Sequence, residues 1–582
     1  MKQRTVMTDR HVRVRDYVDG KLSREDAMEA EAHLAQCSRC RQAMEELQQR
    51  RTAGRKSGSA GRILERFVGK LLRGEVVIIE PLLEQLRMIR RPRVAEVAHK
   101  SEPLRVLRPK VRGGLGRLWR FVGRFGLVLT LTGGVLLLPV PGGLSPAGLR
   151  GLAAFVFTSG VLALEPVSLP IAALMVPVVQ VALGISSTPE SFETFSRPVV
   201  FLILASLFLA EALRKHGLTR RMALATIVAS GGGTGALLMG LMGISAMFSM
   251  WVGNTATAAM LIPVALTISR QVSLREDAAE LLALLALGIA YSASLGGMVT
   301  ILGAAANAVA SGFLSQIMTW TFLDWMKYGL PAFLIIFPLT WFLLFKLMPV
   351  RVHRLDVDPA RKQLREMGPM SRVELEILVV LAITGCLWIG GPFFEAALGL
   401  PQTLFSATLV AVMAVCYLAV REVIDWEDLK GISWGIFLII GAGLSLGETL
   451  MRTGVTEWFA VLLRPLVSGP SLFVTLFLLV TISALLTNLL NNTTIAAVFV
   501  PVLIAMARDN ALLDPVLLVL PVTLATTFGY SLPSASGRMA LLSATGIVSR
   551  ATMLRYGLIM TLASSLVLAV LFYLFALLGF IG

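Results

Sequence analysis

The sequence predicts an all-α polytopic membrane protein built on an internal repeat, preceded by a small helical module. Three observations carry this. Of 582 residues, 55% are hydrophobic and 15% charged, with a mean hydropathy of +0.74; soluble domains carry about 25% charged residues. The stretch Trp251–Leu266, a Gly-Asn-Thr tip between two apolar arms with Pro263 in the second, has a counterpart near residue 491. Finally, the polar first fifty residues hold His33-x3-Cys37-x2-Cys40.

The chain divides into residues 1–50, residues 51–120 and a transmembrane domain at 121–582. In the first part, Asp19-Gly20 marks a turn, Ser23-Arg-Glu-Asp26 reads as a capped start, and Ala27–Leu34 follows a helical pattern. A His four residues before a Cys shares its helical face, and Cys-x2-Cys can bring two thiolates to one metal. Tetrahedral zinc needs four ligands, so His33, Cys37 and Cys40 are candidates and His11 the candidate fourth. A metal-free helical hairpin with reduced thiols is the alternative. Tyr17-Val-Asp-Gly-Lys-Leu-Ser with His33-Leu-Ala-Gln-Cys-Ser-Arg-Cys40 resembles the zinc-binding N-terminal domain of anti-sigma factors. That resemblance implies a zinc-finger-like module that binds a cytoplasmic protein partner. Cys386 and Cys416, in apolar spans, are expected to be small buried hydrophobes.

Charge is placed unevenly. Residues 51–125 carry 19 Lys and Arg against 6 Asp and Glu, while 126–582 carry 24 against 22. The overall net charge of +16 therefore belongs to one segment and says nothing about a substrate. Residues 51–60 form a basic linker. Gly61–Arg91 then alternates apolar clusters with Arg and Lys, as expected of amphipathic helices at an anionic lipid surface. A basic face could bind nucleic acid instead, but no recognition motif accompanies it and a span follows directly, so no nucleic-acid partner is expected. The first hundred residues contain no apolar run that would serve as a cleavable signal peptide.

Candidate crossings lie at 125–142, 148–165, 168–185, 198–215, 282–312 (with a break), 328–348, 373–392, 403–420, 432–450, 515–532 (with a break) and 556–580, eleven in all. Two further segments, 234–268 and 468–505, have arms too short to cross singly, since a spanning helix needs about 20 apolar residues. Irregular backbone at membrane depth is tolerated only where protein or a wet cavity satisfies it, so these read as re-entrant hairpins. Loop charge supports the count: basic Arg214–Arg221 and Arg351–Arg372 fall inside, and 187–196 and 393–402, with no Lys or Arg, fall outside. The expectation is a multi-pass protein of the cytoplasmic (inner) membrane, N-terminus in the cytoplasm and C-terminus outside.

The repeat is explicit. Asn491–Ile504 aligns without gaps to Gly253–Leu266, with identities at Asn254/Asn492, Thr255/Thr493, Ala258/Ala496, Ala259/Ala497, Pro263/Pro501 and Val264/Val502. Upstream, Lys215-His-Gly-Leu-Thr219 recurs as Arg452-Thr-Gly-Val-Thr456. Repeat 1 spans about 198–348 and repeat 2 about 432–582, separated by an odd number of crossings, which inverts the second copy. Paired polar breaks in inverted copies point to a secondary transporter with its site near mid-membrane. Each hairpin is followed by a glycine-interrupted span, Ser292–Asn307 and Ser531–Met539, where a broken helix frees carbonyls for a cation and N–H groups for an anion.

Asn254-Thr-Ala-Thr-Ala-Ala-Met with Leu261-Ile-Pro resembles the first Ser-Asn-Thr signature of the divalent-anion/sodium symporter family, and Asn491-Asn-Thr resembles the second. The likeness runs from about Leu115 to the C-terminus. The signature Ser is Gly253 in one copy and Asn491 in the other. Gly303-Ala-Ala-Ala-Asn307 matches the family's Gly-Thr-Pro-Pro-Asn at its ends; in the second copy Pro533, Ala535 and Ser536 match, and Gly537-Arg538-Met539 stand where Pro-Pro-Asn is usual.

The resemblance implies a homodimeric, elevator-type carrier of small anions, di- or tricarboxylates or sulfate- or phosphate-like oxyanions, coupled to Na⁺. Candidate substrate residues are Asn254, Thr255, Asn492, Thr493, Ser536 and Arg538. Candidate Na⁺ positions are Gly253, Asn254, Gly303 and Asn307 in the first half-site and Asn491, Asn492 and Ala535 in the second. Arg538, an ionisable residue at costly depth, is expected to stand in for the second half-site's cation; snorkelling to an interface, or an ion pair with an acid such as Glu448, is its alternative role. Glu165, before Pro166, reads as a loop tether, and Glu211 and Glu448 share the repeat offset. Sodium-independent exchange and a membrane-anchored sensor that holds a partner through the zinc module are the competing readings. No phosphate-cradling Gly-rich Lys loop, His-Glu-x-x-His or Gly-x-Ser-x-Gly occurs, so an ATP-driven pump or a hydrolase, or indeed any enzyme, is not expected.

Overall fold

The computed structural model describes residues 114–581, apart from 270–271, 273–274, 402, 466–470 and 509–513. The candidate zinc ligands His11, His33, Cys37 and Cys40 and the basic segment at 51–113 lie outside the described residues. Among the described residues every regular element is a helix, save one isolated bridge between Gly233 and Arg354.

The first four helices are α1 (Gly114–Leu137), α2 (Pro146–Leu164), α3 (Leu169–Ala182) and α4 (Thr188–Glu193). A first run of seven follows: α5 (Pro198–Lys215), α6 (Leu218–Ala229), α7 (Thr234–Ser249), α8 (Asn254–Ser269), α9 (Arg275–Gly297), α10 (Ala305–Ile317) and α11 (Phe322–Leu347). Between the runs lie α12 (Asp358–Glu366), α13 (Arg372–Leu398), α14 (Ala407–Val420) and the short α15 (Trp426–Leu429). The second run is α16 (Gly435–Arg452), α17 (Val455–Leu463), α18 (Leu472–Leu486), α19 (Asn492–Arg508), α20 (Pro515–Ala525), α21 (Gly537–Thr545) and α22 (Arg550–Leu577).

The two runs match element for element, and local chemistry explains why. Gly217 and Gly454, one at the end of each lead helix, take left-handed conformations with φ of 72° and 75°, which glycine adopts without steric cost. Both lead helices therefore turn at the same point. Ser249–Gly253 and Thr487–Asn491 then break the hairpin arms, and the stretch from Gly297 to Gly303 after α9 and the Thr526–Phe528 turn after α20 break the next span.

Among the described residues six helices are long and apolar enough to cross a membrane: α2, α11, α13, α16, α22 and α9 from Asp277. Thr188–Ser196 with α5, across a 45° bend, makes a seventh. The other predicted crossings coincide with shorter apolar helices, α1 from Val122, α3, α14 and Pro515–Phe528. The 14 residues of α3 rise about 21 Å at 1.5 Å per residue, against a hydrocarbon core of about 30 Å. Helix α3 is shorter than its hydropathy suggests because Gly184 turns left-handed just after it.

Three outer helices, α1–α3, pack in series and reach the second run through α16. Helices α13 and α14 pack on each other, and α14 lies along α5. Inside, α7 and α8 pack on α9, while α19 packs on α20 and α10. Outward-facing Leu375, Val379, Ile383 and Phe393 of α13 are exposed, as suits a helix apolar all round in lipid. Cys386 and Cys416 sit on these outer surfaces and are exposed. Their apolar setting gave the wrong expectation of burial, because in a membrane helix apolar residues face lipid as readily as protein.

The acidic residues singled out from the sequence outside the breaks have local roles. Glu448 pairs with Arg197 at 2.8 Å, Glu211 with Arg214 on its own helix, and Glu165 caps α2 in a left-handed conformation. Arg221 of α6 clasps Glu374 of α13 through two nitrogens, at 2.7 and 3.2 Å.

Candidate functional site

The first half-site forms where the α7–α8 turn meets the break after α9. Asn254 begins α8 and is buried. Its Nδ2 donates to the Ser249 hydroxyl at 2.7 Å and to the carbonyls of Gly303 and Ala293 at 2.8 and 3.2 Å. Close backbone approach builds the cluster. A Cβ on Gly303 would meet the Gly297 carbonyl oxygen at 2.4 Å, and one on Gly297 would meet the Asn254 amide at 2.3 Å.

Asn307 closes the break. Fully buried in the first turn of α10, it donates through Nδ2 to the carbonyls of Gly297 and Thr300, both at 2.8 Å. Its Oδ1 is buried without a partner. The Thr300 hydroxyl donates to the Met250 carbonyl and accepts from Gly303 N–H at 3.2 Å, so it ties the break to the hairpin turn. Trp325 Nε1 caps the Met298 carbonyl at 3.0 Å. Several backbone polar groups of this non-helical stretch are thus met from within. Gly253 has open space where a side chain would start, so the missing signature Ser leaves room.

The second half-site repeats the plan with different chemistry. The Thr487 hydroxyl, at the position of Ser249, lies between Asn492 Oδ1 and the Thr526 carbonyl, the latter at 2.9 Å. Asn491 caps α19 by accepting from Thr493 N–H at 2.9 Å. Asn488 accepts from Ser531 N–H at 2.9 Å, and its carbonyl accepts from the Ser534 hydroxyl at 3.2 Å; it pins this hairpin to its break. The Thr561 hydroxyl caps the Phe528 carbonyl at 2.9 Å. Arg538 is 1% exposed and donates through Nη2 to the carbonyls of Thr527 and Gly529, both at 3.2 Å. Glu448, its candidate acidic partner, is held by Arg197 instead. Ala535 is buried, and Ser536 Oγ has no partner although Ser536 precedes α21.

The half-sites touch. Thr255 is exposed and lies against Gly537, where a Cβ would meet its Oγ1 at 2.7 Å. Tyr291 of α9 packs on Tyr530 of the second break with ring centroids 4.6 Å apart. Thr493 departs from the symmetry: it is buried and turned toward Gly443 of α16. Of the candidates, then, Asn254, Gly303 and Asn307 converge, Thr255 faces open volume beside the start of α21, and Thr493 is packed away. Ser249, Thr487, Asn488 and the two tyrosines were not singled out from sequence. Ser249 and Thr487 could have been, since they share the repeat offset; Asn488 could not, because its counterpart is Met250.

The starts of α10 and α21 have no side-chain cap: Ala304 has no acceptor, and Ser536 does not bond back. Their first N–H groups and partial positive ends flank a region lined by amides and hydroxyls. Among the described residues no group of His, Cys, Asp and Glu could hold a metal.

Many apolar helices, some broken and joined by polar turns, make this a multi-pass membrane protein. The chain belongs to the sodium:sulfate symporter family, whose transmembrane-region model matches residues 120–580; this is a family of transporters, not enzymes. A zinc-finger family model matches residues 12–41, which include His33, Cys37 and Cys40 and begin just after His11. The chain is 31% identical over 436 residues to an uncharacterized transporter of Haemophilus influenzae, covering 74% of this chain and 92% of the relative. It is 28% identical to the sodium-dependent dicarboxylate transporter SdcS of Staphylococcus saprophyticus, over 70% of this chain and 82% of the relative. Among solved structures, the Alcanivorax borkumensis YdaH transporter aligns with a TM-score of 0.46 at 15% identity, over 80% of this chain and 98% of that one.

Proposed function

We propose that this chain is a secondary active transporter of small anions, di- or tricarboxylates or inorganic oxyanions, coupled to sodium through the first half-site. The observation that carries the reading is the buried polar cluster there: the Asn254 amide beside the carbonyls of Gly303 and Ala293, with Asn307 Oδ1 buried and unpartnered nearby. Hard oxygen ligands without a formal negative charge suit a monovalent alkali cation better than a divalent one. Asn254, Asn307 and the Gly303 carbonyl would hold the ion, and its charge would help balance the anion. Asn491, Asn492 and Ala535 supply the corresponding positions of the second half. The uncapped starts of α10 and α21, with Thr255, Asn492 and Ser536, offer the anion donors without a fixed carboxylate to repel it. The named relative that carries dicarboxylates with sodium supports the substrate class.

In this reading the two runs are inverted copies whose hairpins are re-entrant and meet at mid-membrane. They move as an elevator against α1–α3 and α13–α14 within a homodimer. The N-terminus lies in the cytoplasm and the C-terminus outside the inner membrane. Uptake of labelled succinate, citrate and sulfate into proteoliposomes, with and without a sodium gradient, tests the function. Asn254→Ala and Asn492→Ala should each abolish uptake while membrane insertion persists; normal transport by both would refute the site.

The zinc-finger match at 12–41 favours a second role, in which the module holds a cytoplasmic protein and reports on transport. A chain lacking residues 1–120 should still transport, since none of the site residues lies there; loss of transport would make the module part of the carrier.

A further inference from the structure

We propose that Arg538 is the resident cation of the second half-site, so that sodium enters the transport cycle through the first half-site alone. The inference rests on the transport reading above and deepens it. Counting from the first residues of α10 and α21, Ala305 and Gly537, Gly529 corresponds to Gly297, and residue 539, not 538, corresponds to Asn307. In the first half, the Gly297 carbonyl is held by a neutral amide, Asn307 Nδ2, at 2.8 Å. In the second half that position is Met539, buried and without a donor. The neighbouring Arg538 takes over the bond, at 3.2 Å to the Gly529 carbonyl and 3.2 Å to that of Thr527. The span is clipped across its break in both copies, once by an amide and once by a guanidinium.

That exchange changes the electrostatics of the half-site. A guanidinium is permanently charged and cannot accept a hydrogen bond. Asn307 keeps a free amide oxygen that could serve a cation; Arg538 offers none. Freed carbonyls are the usual attraction for a bound cation, and two of them here are already occupied by Nη2. The charge is also uncompensated. Arg538 is 1% exposed, its Nε has no partner, and among the described residues no carboxylate pairs with it. Its electrostatic neighbours are the phenols of Tyr291 and Tyr530. A buried charge so placed disfavours a second cation beside it and favours an anion. Gly537, the residue before it, lies against Thr255 of the first hairpin, so the charge stands next to the junction of the half-sites.

Equilibrium binding of ²²Na⁺ to the purified full chain and sodium-dependent succinate uptake in proteoliposomes test this together. Wild type should bind about one sodium per chain and show a Hill slope of about one, since the slope cannot exceed the number of coupled sites. The double variant Arg538→Gln, Met539→Asn restores a neutral amide clip; it should bind a second sodium and steepen the slope, or lose uptake at every sodium concentration. Arg538→Lys keeps the charge and should keep the shallow slope. Two sodium ions per wild-type chain would overturn the assignment even if the variants failed to fold. A shallow slope unchanged in the double variant, with uptake intact, would overturn it too. Absence of uptake of any tested anion would instead refute the transport reading, while the ²²Na⁺ count on wild type still decides the role of Arg538.

Discussion

Asn307→Ala probes the first half-site at its tightest point. The side chain is fully buried and makes two donated bonds of 2.8 Å, to the carbonyls of Gly297 and Thr300. Alanine leaves both buried acceptors without their donor. An unsatisfied buried group costs about 1–3 kcal/mol, so the variant should lose about 2–6 kcal/mol, before any cavity term. Both carbonyls flank the break, so the loss falls on the geometry that sets Gly303 against Gly297 and Asn254 against both. If even about 1.4 kcal/mol of it reaches the ion, sodium affinity drops about tenfold. Thermal unfolding in detergent across a sodium titration reads both quantities. Wild type should be stabilised by sodium, because a ligand that binds only the folded state raises its stability. Asn307→Ala should melt lower and respond to sodium only at far higher concentrations. Asn307→Asp, nearly the same shape, should do no better, since an ionised carboxylate donates to neither carbonyl. An Asn307→Ala variant that melts like wild type, with unchanged protection by sodium, would refute the reasoning.

Two other outcomes are expected. The full chain should hold one zinc by elemental analysis, and Cys37→Ser should lose it; wild-type protein free of metal after expression in zinc-replete medium would remove the assignment of His33, Cys37 and Cys40. Asp428, in the short helix α15, bonds Lys215 at 2.5 Å. Burial pushes its carboxyl up, but the bond from Lys215 and the Asp425 N–H outweigh it and hold the group below the usual carboxylate range. A carboxyl lowered on folding stabilises the fold above its unfolded value of about 3.9, and loses that contribution as pH falls through the folded value. The pair is partly exposed, so it is worth at most about 1 kcal/mol. Asp428→Asn should melt slightly lower at neutral pH and lose less on acidification than wild type; melting curves that shift in parallel from pH 7 to 3 would show that the pair contributes nothing.

Much of the architecture was legible because it depends on local chemistry. Gly217 and Gly454 turn the chain wherever they stand, and Asn254 and Asn492 begin helices after short polar turns, so the repeat shows in sequence and in element boundaries alike. Helix lengths were less legible: hydropathy continues past Ala182 while the backbone turns at Gly184. Burial misled at Cys386 and Cys416, since lipid and protein interior reward the same side chains.

The sequence by itself determined that this is a membrane protein with two polar breaks in each run of helices, and it marked Asn254, Gly303, Asn307 and Arg538 as the residues to watch. A broken helix is a local event, governed by glycine, by small polar side chains and by the loss of regular backbone bonds over a few residues. What meets across a break is not local. Only the tertiary structure decided that Asn254 faces the carbonyls of Gly303 and Ala293, that Thr255 abuts Gly537 while its repeat partner Thr493 is buried beside α16, and that Arg538 holds the carbonyls of Thr527 and Gly529 and leaves Glu448 to Arg197. These pairings depend on how separate helices pack, and one-dimensional spacing carries no information about that packing.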